Sequence, residues 1–199
     1  MLKIAALVSG GGTNLQAIID AIESGQLKNV EIAAVASTNL RAYALERAKK
    51  YDIPTAVFAK KDFASAEDRE ELLVSFFQQH GVGLVVLCGS LMVLGKKVLE
   101  VYENRIINIH PALLPNFGGK GYYGLAVHEA VLASGMATTG ATVHFVDEGI
   151  DTGRIILQKE VAVLPGDTPE TLQRRVMEEA EWQILPQAIG LLAERGLNL

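Results

Sequence analysis

The sequence has a single cysteine, Cys88, among its 199 residues. One cysteine excludes an internal disulfide framework and any metal site built from several cysteines, and it favours a reducing, cytoplasmic setting. Cys88 lies in the apolar run LVVLCGS, which predicts a small, buried side chain. The four histidines lack the spacing of zinc ligands, so no metal is expected.

Long apolar runs and basic runs are missing as well. No apolar stretch reaches the roughly 18–20 residues that a membrane-spanning helix needs. The N-terminal stretch MLKIAALVSGGG has one lysine and about five apolar residues before its glycines, fewer than the roughly 7–15 of the apolar core of a signal peptide. The net charge is −5 and basic residues occur at most in pairs, so neither a membrane nor a nucleic acid is an expected partner.

Apolar runs alternate with segments of helical period along most of the chain, and these predict strands and helices in turn. The predicted strands are 3–9, 30–37, 54–59, 84–89 and 105–110, and the main helices between and after them are 14–25, 41–51, 66–81 and 125–134. This pattern predicts a doubly wound α/β fold, with a mostly parallel sheet covered by helices on both faces.

The C-terminal half differs in style. Two further predicted strands, 139–147 and 154–163, are joined by the short link EGIDTG, which suggests an antiparallel hairpin. The last helix is expected to begin at GDTPETLQ, with Asp167 as N-cap. Pro186 is expected to kink or break this helix near its middle.

The glycine-rich stretch LVSGGGTNLQ joins the first strand to the first helix, where doubly wound folds bind phosphate. Backbone N–H groups at a helix N-terminus attract anions, and glycines allow close approach. The dinucleotide fingerprint fails because Leu15 replaces its third glycine, and the Walker pattern fails for want of a lysine. The residues favour a site for one phosphate, and a tight turn without a ligand is the alternative.

The stretch RIINIHPALLP places an amide and an imidazole at the end of an apolar strand. Asn108 and His110 share one face of that strand, roughly 6–7 Å apart along it. Pro111 ends the pairing of the strand, so both side chains lie at its carboxyl end, where open α/β sheets bind ligands. We interpret the pair as a functional site; a core histidine with an end-capping asparagine is the alternative.

The stretch HFVDEGIDTG clusters three carboxylates after a strand. Asp147, Glu148 and Asp151 are compatible with a functional site and equally with ordinary turn chemistry, because Asp-Thr-Gly suits a turn. His144, between two apolar neighbours of the same strand, is predicted to be structural.

The remaining histidines, His80 and His128, are predicted to lie on the surface. The G-x-S-x-G elbow is also missing, so a serine hydrolase is not expected.

The motifs SGGGTNLQ, NIHPALLP and HFVDEGIDTG, in this order and at these separations, resemble the phosphoribosylglycinamide formyltransferases of the folate-dependent formyltransferase superfamily. The resemblance covers essentially the whole chain. It implies a Rossmann-like formyltransferase domain over 1–199, with a nucleotide-phosphate-binding half (1–103) and a catalytic and folate-binding half (104–199). It implies a cytoplasmic monomer or homodimer with small-molecule substrates.

The implied reaction transfers a formyl group from the cosubstrate 10-formyltetrahydrofolate to the amine of 5-phosphoribosylglycinamide in de novo purine biosynthesis. By resemblance, the catalytic residues are Asn108, His110 and Asp151. The Asn108 amide and a protonated His110 would stabilise the oxyanion on the formyl oxygen, and Asp151 would assist His110 and proton transfer.

The resemblance also implies two binding surfaces. The ribonucleotide is expected on Gly11, Gly12, Thr13 and Asn14 and on a glutamate of the last helix. That glutamate is Glu181 or, because RVMEEAEWQILP is one residue longer than usual, Glu179. The folate is expected against Leu91, Met92, Val93, Leu94, Asn108, Asp147, Glu148, Gly149, Ile150 and Asp151.

The sequence departs from the family at three places. Met92 and Ala66 stand where arginines are usual, with Arg69 as the nearest substitute for the second, and the loop NFGGKGYYG is several residues longer than the common version. These departures concern the contacts to the folate tail. A formyltetrahydrofolate hydrolase, another folate-dependent formyltransferase and a non-enzymatic nucleotide-binding module are the alternatives.

Overall fold

The structure, a computed structural model, describes residues 1–196. The strands of its one sheet are β1 (Leu2–Val8), β2 (Val30–Ser37), β3 (Thr55–Val57), β4 (Leu84–Leu87), β5 (Ile106–His110), β6 (Thr138–Phe145) and β7 (Ile155–Ala162). The helices are α1 (Thr13–Glu23), α2 (Tyr43–Lys50), α3 (Ala66–Gln79), α4 (Lys96–Val101), α5 (Leu125–Ser134), α6 (Pro169–Val176) and α7 (Trp182–Arg195). A 3₁₀ turn spans Lys60–Asp62, and a π turn at Met177–Glu181 joins α6 to α7. Residues 197–199, the end of the predicted C-terminal half, lie outside the described part.

The strand order is β3-β2-β1-β4-β5-β6-β7. Strands β1 to β5 run parallel, β6 is antiparallel to β5, and β7 is antiparallel to β6. The predictions of a mostly parallel, doubly wound sheet and of a C-terminal hairpin are confirmed. The chain reverses direction across the sheet between β1 and β4, and such a reversal opens a crevice at the carboxyl ends of the strands.

The continuous apolar strands are explained by cores on both faces of the sheet. Along β1, Ile4, Ala6 and Val8 pack into one core and Ala5 and Leu7 into the other. This alternation follows from the two-residue period of a strand. No helix within residues 1–196 combines the length and apolar character that a membrane crossing needs.

The start of the last helical segment differs from the prediction. Thr168, not Asp167, is the N-cap of α6: its hydroxyl accepts the N–H of Thr171, whose own hydroxyl accepts the N–H of Thr168. Asp167 instead receives two hydrogen bonds from the guanidinium of Arg175, and these hold the pKa of Asp167 well below its usual range. The prediction failed because aspartate and threonine are both good N-cap residues, and the Asp167 carboxylate is engaged in the ion pair with Arg175.

Pro186 does not break the last helix, so this part of the prediction is wrong. Helix α7 runs from Trp182 to Arg195 with Pro186 buried inside it. A proline removes one helical hydrogen bond, here the one to the carbonyl of Trp182, and packing of the helix tolerates that loss. The irregular hydrogen bonding lies upstream, in the π turn.

Candidate active site at the carboxyl end of β5

The polar residues of β5 lie where the parallel part of the sheet meets its antiparallel part. Residue Asn108 pairs in register with His144 of β6, and β5 ends at His110. His144 is buried, and its Nε2 lies 3.2 Å from Asn108 Nδ2. The antiparallel pairing therefore brings a second histidine to the Asn108–His110 pair.

Asp151 completes this cluster from the loop between β6 and β7. Its Oδ1 lies 3.5 Å from His144 Nε2 and 3.4 Å from Asn108 Nδ2. Its Oδ2 lies 3.5 Å from His110 Nδ1 and accepts the Gly119 N–H at 3.0 Å. Asp151 thus contacts both of the other residues predicted as catalytic, Asn108 and His110, although it comes from a different stretch of the sequence.

The loop conformation aims Asp151 into the cluster. Asp151 has a φ of 58°, the left-handed region that aspartate and asparagine tolerate better than most residues. The preceding turn is closed by the Asp147 carboxylate, which accepts the Gly149 N–H at 3.0 Å and the Thr152 hydroxyl at 2.6 Å. The acidic cluster of the sequence therefore has two uses, a turn-closing Asp147 and an inward-facing Asp151.

Burial and hydrogen bonding set the charges in the cluster. Burial lowers the pKa of His110, and the Asp151 carboxylate and the Phe117 carbonyl, which accepts from His110 Nε2 at 2.8 Å, offset this only in part. Burial raises the pKa of Asp151, but the contact with His144 and the hydrogen bond from the Gly119 N–H outweigh it and leave that pKa low. Asp151 is therefore anionic and His110 mainly neutral at pH 7. The protonated His110 that the resemblance implies concerns the reaction itself and stays a prediction.

His128 is fully buried on α5, so the prediction of a surface residue is wrong. The helix LAVHEAVLAS is apolar on most sides, and its neighbours Val127 and Val131 are buried too. Neither ring nitrogen of His128 has a hydrogen-bond partner within residues 1–196. Burial, with a smaller contribution from His110, lowers the pKa of His128 to about 4.

The burial of His128 predicts a specific acid sensitivity. Because the folded-state pKa is below the ordinary value of 6.5, neutral His128 stabilises the fold above pH 6.5. This contribution, about 3 kcal/mol, is lost as the pH falls from 6.5 through 4. Urea unfolding at pH 7 and pH 4 should show that His128→Leu loses about 3 kcal/mol less stability than the wild type over this range. An identical loss in both proteins would contradict the assignment.

Helix α2 orients the glycine loop before α1. Gly12 has a φ of 71°, and a Cβ there would lie 2.6 Å from the Ala44 Cβ, so only glycine fits. The Gly10 carbonyl accepts the Ala44 N–H at 3.1 Å, and the Gly11 carbonyl accepts Arg47 Nε–H at 2.9 Å. In a trans peptide the N–H points opposite to the C=O. The N–H groups of Gly11 and Gly12 therefore point away from α2 and are available to an anion.

A buried amide–carboxyl contact links this loop to the last helical segment. Asn14 Nδ2 donates to Glu181 Oε2 at 2.7 Å, and both side chains are buried. Burial raises the pKa of Glu181 to about 7, and the hydrogen bond from Asn14 opposes this shift. Glu179 is exposed. Of the two glutamates left open by the sequence, Glu181 is the one beside the glycine loop.

The segment after β4 alternates between surface and core. Leu91 and Val93 are exposed, whereas Met92 and Leu94 are buried in the core on the α3 side of the sheet. The Leu91 N–H donates to the Ser9 hydroxyl at 2.9 Å, which ties the segment to the end of β1. Met92, at one of the departures from the family, is therefore a packing residue.

The other residues discussed for the folate and its tail are exposed or half-buried. Ile150 and Glu148 are exposed in the β6–β7 loop, and Ala66 is exposed at the start of α3. Arg69 is half-buried, and its Nε has no partner within the described chain. No group of three histidine, cysteine or acidic residues in positions 1–196 is arranged to hold a metal ion.

Sequence reasoning missed two residues of the site. His144 could have been found only from the register of β6 against β5, which pairs it with Asn108. That register is not known until the hairpin strand is placed beside β5. Arg47 carried no local motif, because its contact with Gly11 depends on the packing of α2 against the glycine loop.

Residues 2–189 match the family model described as formyl transferase. The chain belongs to the formyl transferase family. This formyltransferase is 41% identical over 199 residues to phosphoribosylglycinamide formyltransferase of Haemophilus influenzae, covering 100% of this chain and 91% of that protein. It is 42% identical over 197 residues to the trifunctional purine biosynthetic protein adenosine-3 of Drosophila pseudoobscura, covering 98% of this chain and 14% of that longer protein.

Solved structures agree with the sequence relatives. Glycinamide ribonucleotide transformylase 1 from Symbiobacterium toebii superposes with a TM-score of 0.91 at 41% identity, covering 98% of this formyltransferase and 89% of that chain. Phosphoribosylglycinamide formyltransferase from Coxiella burnetii superposes with a TM-score of 0.89 at 42% identity, covering 98% and 88% of the two chains.

Proposed function

We propose that this formyltransferase moves the formyl group of 10-formyltetrahydrofolate to the amine of 5-phosphoribosylglycinamide, a step of de novo purine biosynthesis. One observation carries the proposal: a cluster of Asn108, His110, His144 and Asp151 shares the carboxyl edge of the sheet with the loop that holds Asn14 against Glu181. The hydrogen-bond donors Asn108 and His110 and the Asp151 carboxylate, which suit acyl transfer, thus lie at the same edge as a site suited to a phosphorylated amine.

Asn108 and His110 stabilise the charge that develops on the formyl oxygen when the amine attacks the formyl carbon. The amide of Asn108 donates to this oxygen, and so does His110 Nε2–H, which in the structure donates to the Phe117 carbonyl. The growing negative charge raises the pKa of His110 by adding an anion beside it. Preorganised donors of this kind are each worth about 10²–10³ in rate.

Asp151 and His144 hold these donors in place, and Asp151 also assists proton transfer. His144 Nδ1–H donates to the Phe145 carbonyl at 2.8 Å, which leaves Nε2 as an acceptor for the Asn108 amide. The Asp151 carboxylate stabilises the imidazolium form of His110. Directly or through water, it also helps the proton pass from the attacking amine to the leaving nitrogen.

The ribonucleotide lies across the glycine loop. Its phosphate accepts from the N–H groups of Gly11 and Gly12 and from the polar residues Thr13 and Asn14 at the start of α1. Its amine meets the carboxylate of Glu181. The direction of the loop peptides and the Asn14–Glu181 contact support this placement.

The folate lies between Leu91–Leu94 and Asp147–Asp151. Main-chain groups of both segments bind its pterin, and the exposed apolar side chains of Leu91, Val93 and Ile150 support this placement. The nucleotide half (1–103) and the folate half (104–199) then meet at the carboxyl ends of β4 and β5. No catalytic step requires a metal.

Replacing Arg47 tests the phosphate site through the side chain that holds the Gly11 carbonyl. We expect Arg47→Met to raise the KM for the ribonucleotide about tenfold, the value of one hydrogen bond to a charged group, because the Gly11 carbonyl loses its restraint. The turnover number and the KM for the folate should stay unchanged. Lys50→Met removes the same charge from an exposed position of α2 and is the matched control. If both variants raised the KM for the ribonucleotide equally, the effect of Arg47 would come from its charge at long range and not from its hydrogen bond to Gly11.

The activity itself is tested by following the absorbance of the tetrahydrofolate product with and without 5-phosphoribosylglycinamide. We expect turnover only when the ribonucleotide is present. Turnover without it would identify a hydrolase, and folate binding without any turnover would identify a different acceptor or a binding module.

The oligomeric state and the cellular location belong to the proposal as well. We propose a monomer or homodimer in the cytoplasm, with the lone, buried Cys88 suited to a reducing compartment. Light scattering across a range of protein concentrations measures the oligomeric state.

A further inference from the structure

The π turn at Met177–Glu181 interrupts an otherwise continuous helical segment and ends at Glu181, whose carboxyl accepts the Asn14 amide. The Trp182 N–H donates to the Met177 carbonyl, five residues earlier, instead of four as in an α-helix. Both Ala180 and Glu181 are buried in this turn, whereas Glu178 and Glu179 are exposed. The turn therefore holds one residue more than an α-helical turn would.

The extra residue changes which side chains face the protein. In a continuous α-helix, Glu181 would lie about 140° around the axis from Val176, because five residues turn about 500°. Val176 is fully buried, so Glu181 would be turned away from the core, and Ala180, only about 40° from Val176, would take its place. In the structure Glu181 shares the buried side and reaches Asn14.

The apolar stripe of α7 shows the same offset. Val176 and Leu185 are both fully buried. Nine α-helical residues would place them about 180° apart, on opposite sides of the helix, and removing one residue from the count reduces the angle to about 80°. The turn thus lets α6 and α7 pack on the sheet with one common side.

We infer that the π turn is a one-residue insertion whose function is to set Glu181 in register with the ribonucleotide site. This inference rests on the proposed role of Glu181 toward the amine of the ribonucleotide. The inference predicts that the place of a one-residue deletion decides its effect. A deletion before Glu181 should keep the Glu181 carboxyl in the site, and a deletion after Glu181 should remove it.

Deleting the exposed Glu179 should leave the site intact. Glu181 then follows Val176 by four residues, so an ordinary α-helical turn puts its carboxyl where the π turn put it. Because the carboxyl keeps its place, we expect the KM for the ribonucleotide to stay within about threefold of wild type, well below a tenfold loss of affinity (~1.4 kcal/mol). Glu179→Gln, which removes the charge without changing the register, is the matched control.

Deleting the exposed Gln183 should remove Glu181 from the site. Either the π turn persists and α7 rotates its buried stripe toward solvent, or the turn becomes α-helical and Ala180 occupies the place of Glu181. The second outcome preserves the burial of Ile184, Leu185 and Ile189 and is therefore expected. The KM for the ribonucleotide should rise about 10- to 100-fold, the range of a hydrogen bond to a charged group, and match Glu181→Ala.

A titration separates this inference from the proposed role of Glu181. Carbon-13 NMR of labelled glutamate should find a carboxyl titrating near pH 7 in the wild type and after deletion of Glu179, and should lose it after deletion of Gln183. Loss of this signal after deletion of Glu179, or its retention after deletion of Gln183, would overturn the inference. If the signals behave as expected but Glu181→Ala binds the ribonucleotide normally, the register is right and the proposed role of Glu181 is wrong.

Discussion

Replacing Asp151 with asparagine is expected to lower the turnover number about 10²- to 10⁴-fold with little effect on folding. Asparagine tolerates the left-handed backbone of this position, and its amide oxygen still accepts the Gly119 N–H. What it loses is the negative charge that faces His110 and His144. The imidazolium of His110 then has no counter-charge when the formyl oxygen becomes negative.

The pH dependence identifies the role of the Asp151 carboxylate. The carboxylate raises the pKa of His110, so its removal lowers that pKa further. If catalysis needs the imidazolium, the alkaline limb of the turnover profile should move to lower pH in Asp151→Asn. Asp52→Asn is the matched control, because Asp52 is exposed and has a φ of 53°. An unchanged profile with near-normal turnover would exclude the proton role.

His110→Ala carries the second large expectation, a loss of about 10²–10³ in turnover, the value of one preorganised oxyanion donor. Both substrates should still bind, because the glycine loop, Glu181 and the Leu91–Leu94 segment do not depend on His110 contacts. Equilibrium binding of the ribonucleotide and thermal unfolding separate lost chemistry from lost structure.

The matched control for His110 is His80→Ala: His80 ends α3 just before the start of β4, at the opposite edge of the sheet from the end of β5. Normal turnover of His110→Ala would remove it from the mechanism. A loss of substrate binding that equals the loss in turnover would make it a binding residue instead.

The architecture was predictable because strand burial leaves a strong pattern. A run such as KIAALVS can only be buried on both faces, which requires a parallel sheet with helices on each side. The cluster was predictable in part for a related reason: Asn108, His110 and Asp151 are polar residues where apolar strands end. Strand ends of a doubly wound sheet converge on one crevice.

The errors share a physical cause, which is that local patterns do not report tertiary neighbours. His144 was expected to be structural and is buried, but only strand register shows that it lies against Asn108. His128 looked exposed because it is polar, whereas it lies on the buried side of α5 with Val127 and Val131. The π turn follows from matching two buried stripes, and only the assembled helix reveals it.

The proposed formyl transfer is tested most directly by following the formyl group itself. Enzyme is mixed with ¹³C-formyl-labelled 10-formyltetrahydrofolate and 5-phosphoribosylglycinamide, and the fate of the labelled carbon is observed by NMR. We expect the label to appear on the glycinamide nitrogen of the ribonucleotide with the wild-type enzyme, and at a rate at least about 100-fold lower with His110→Ala. Label released as formate, or transferred equally fast by the variant, would contradict this expectation.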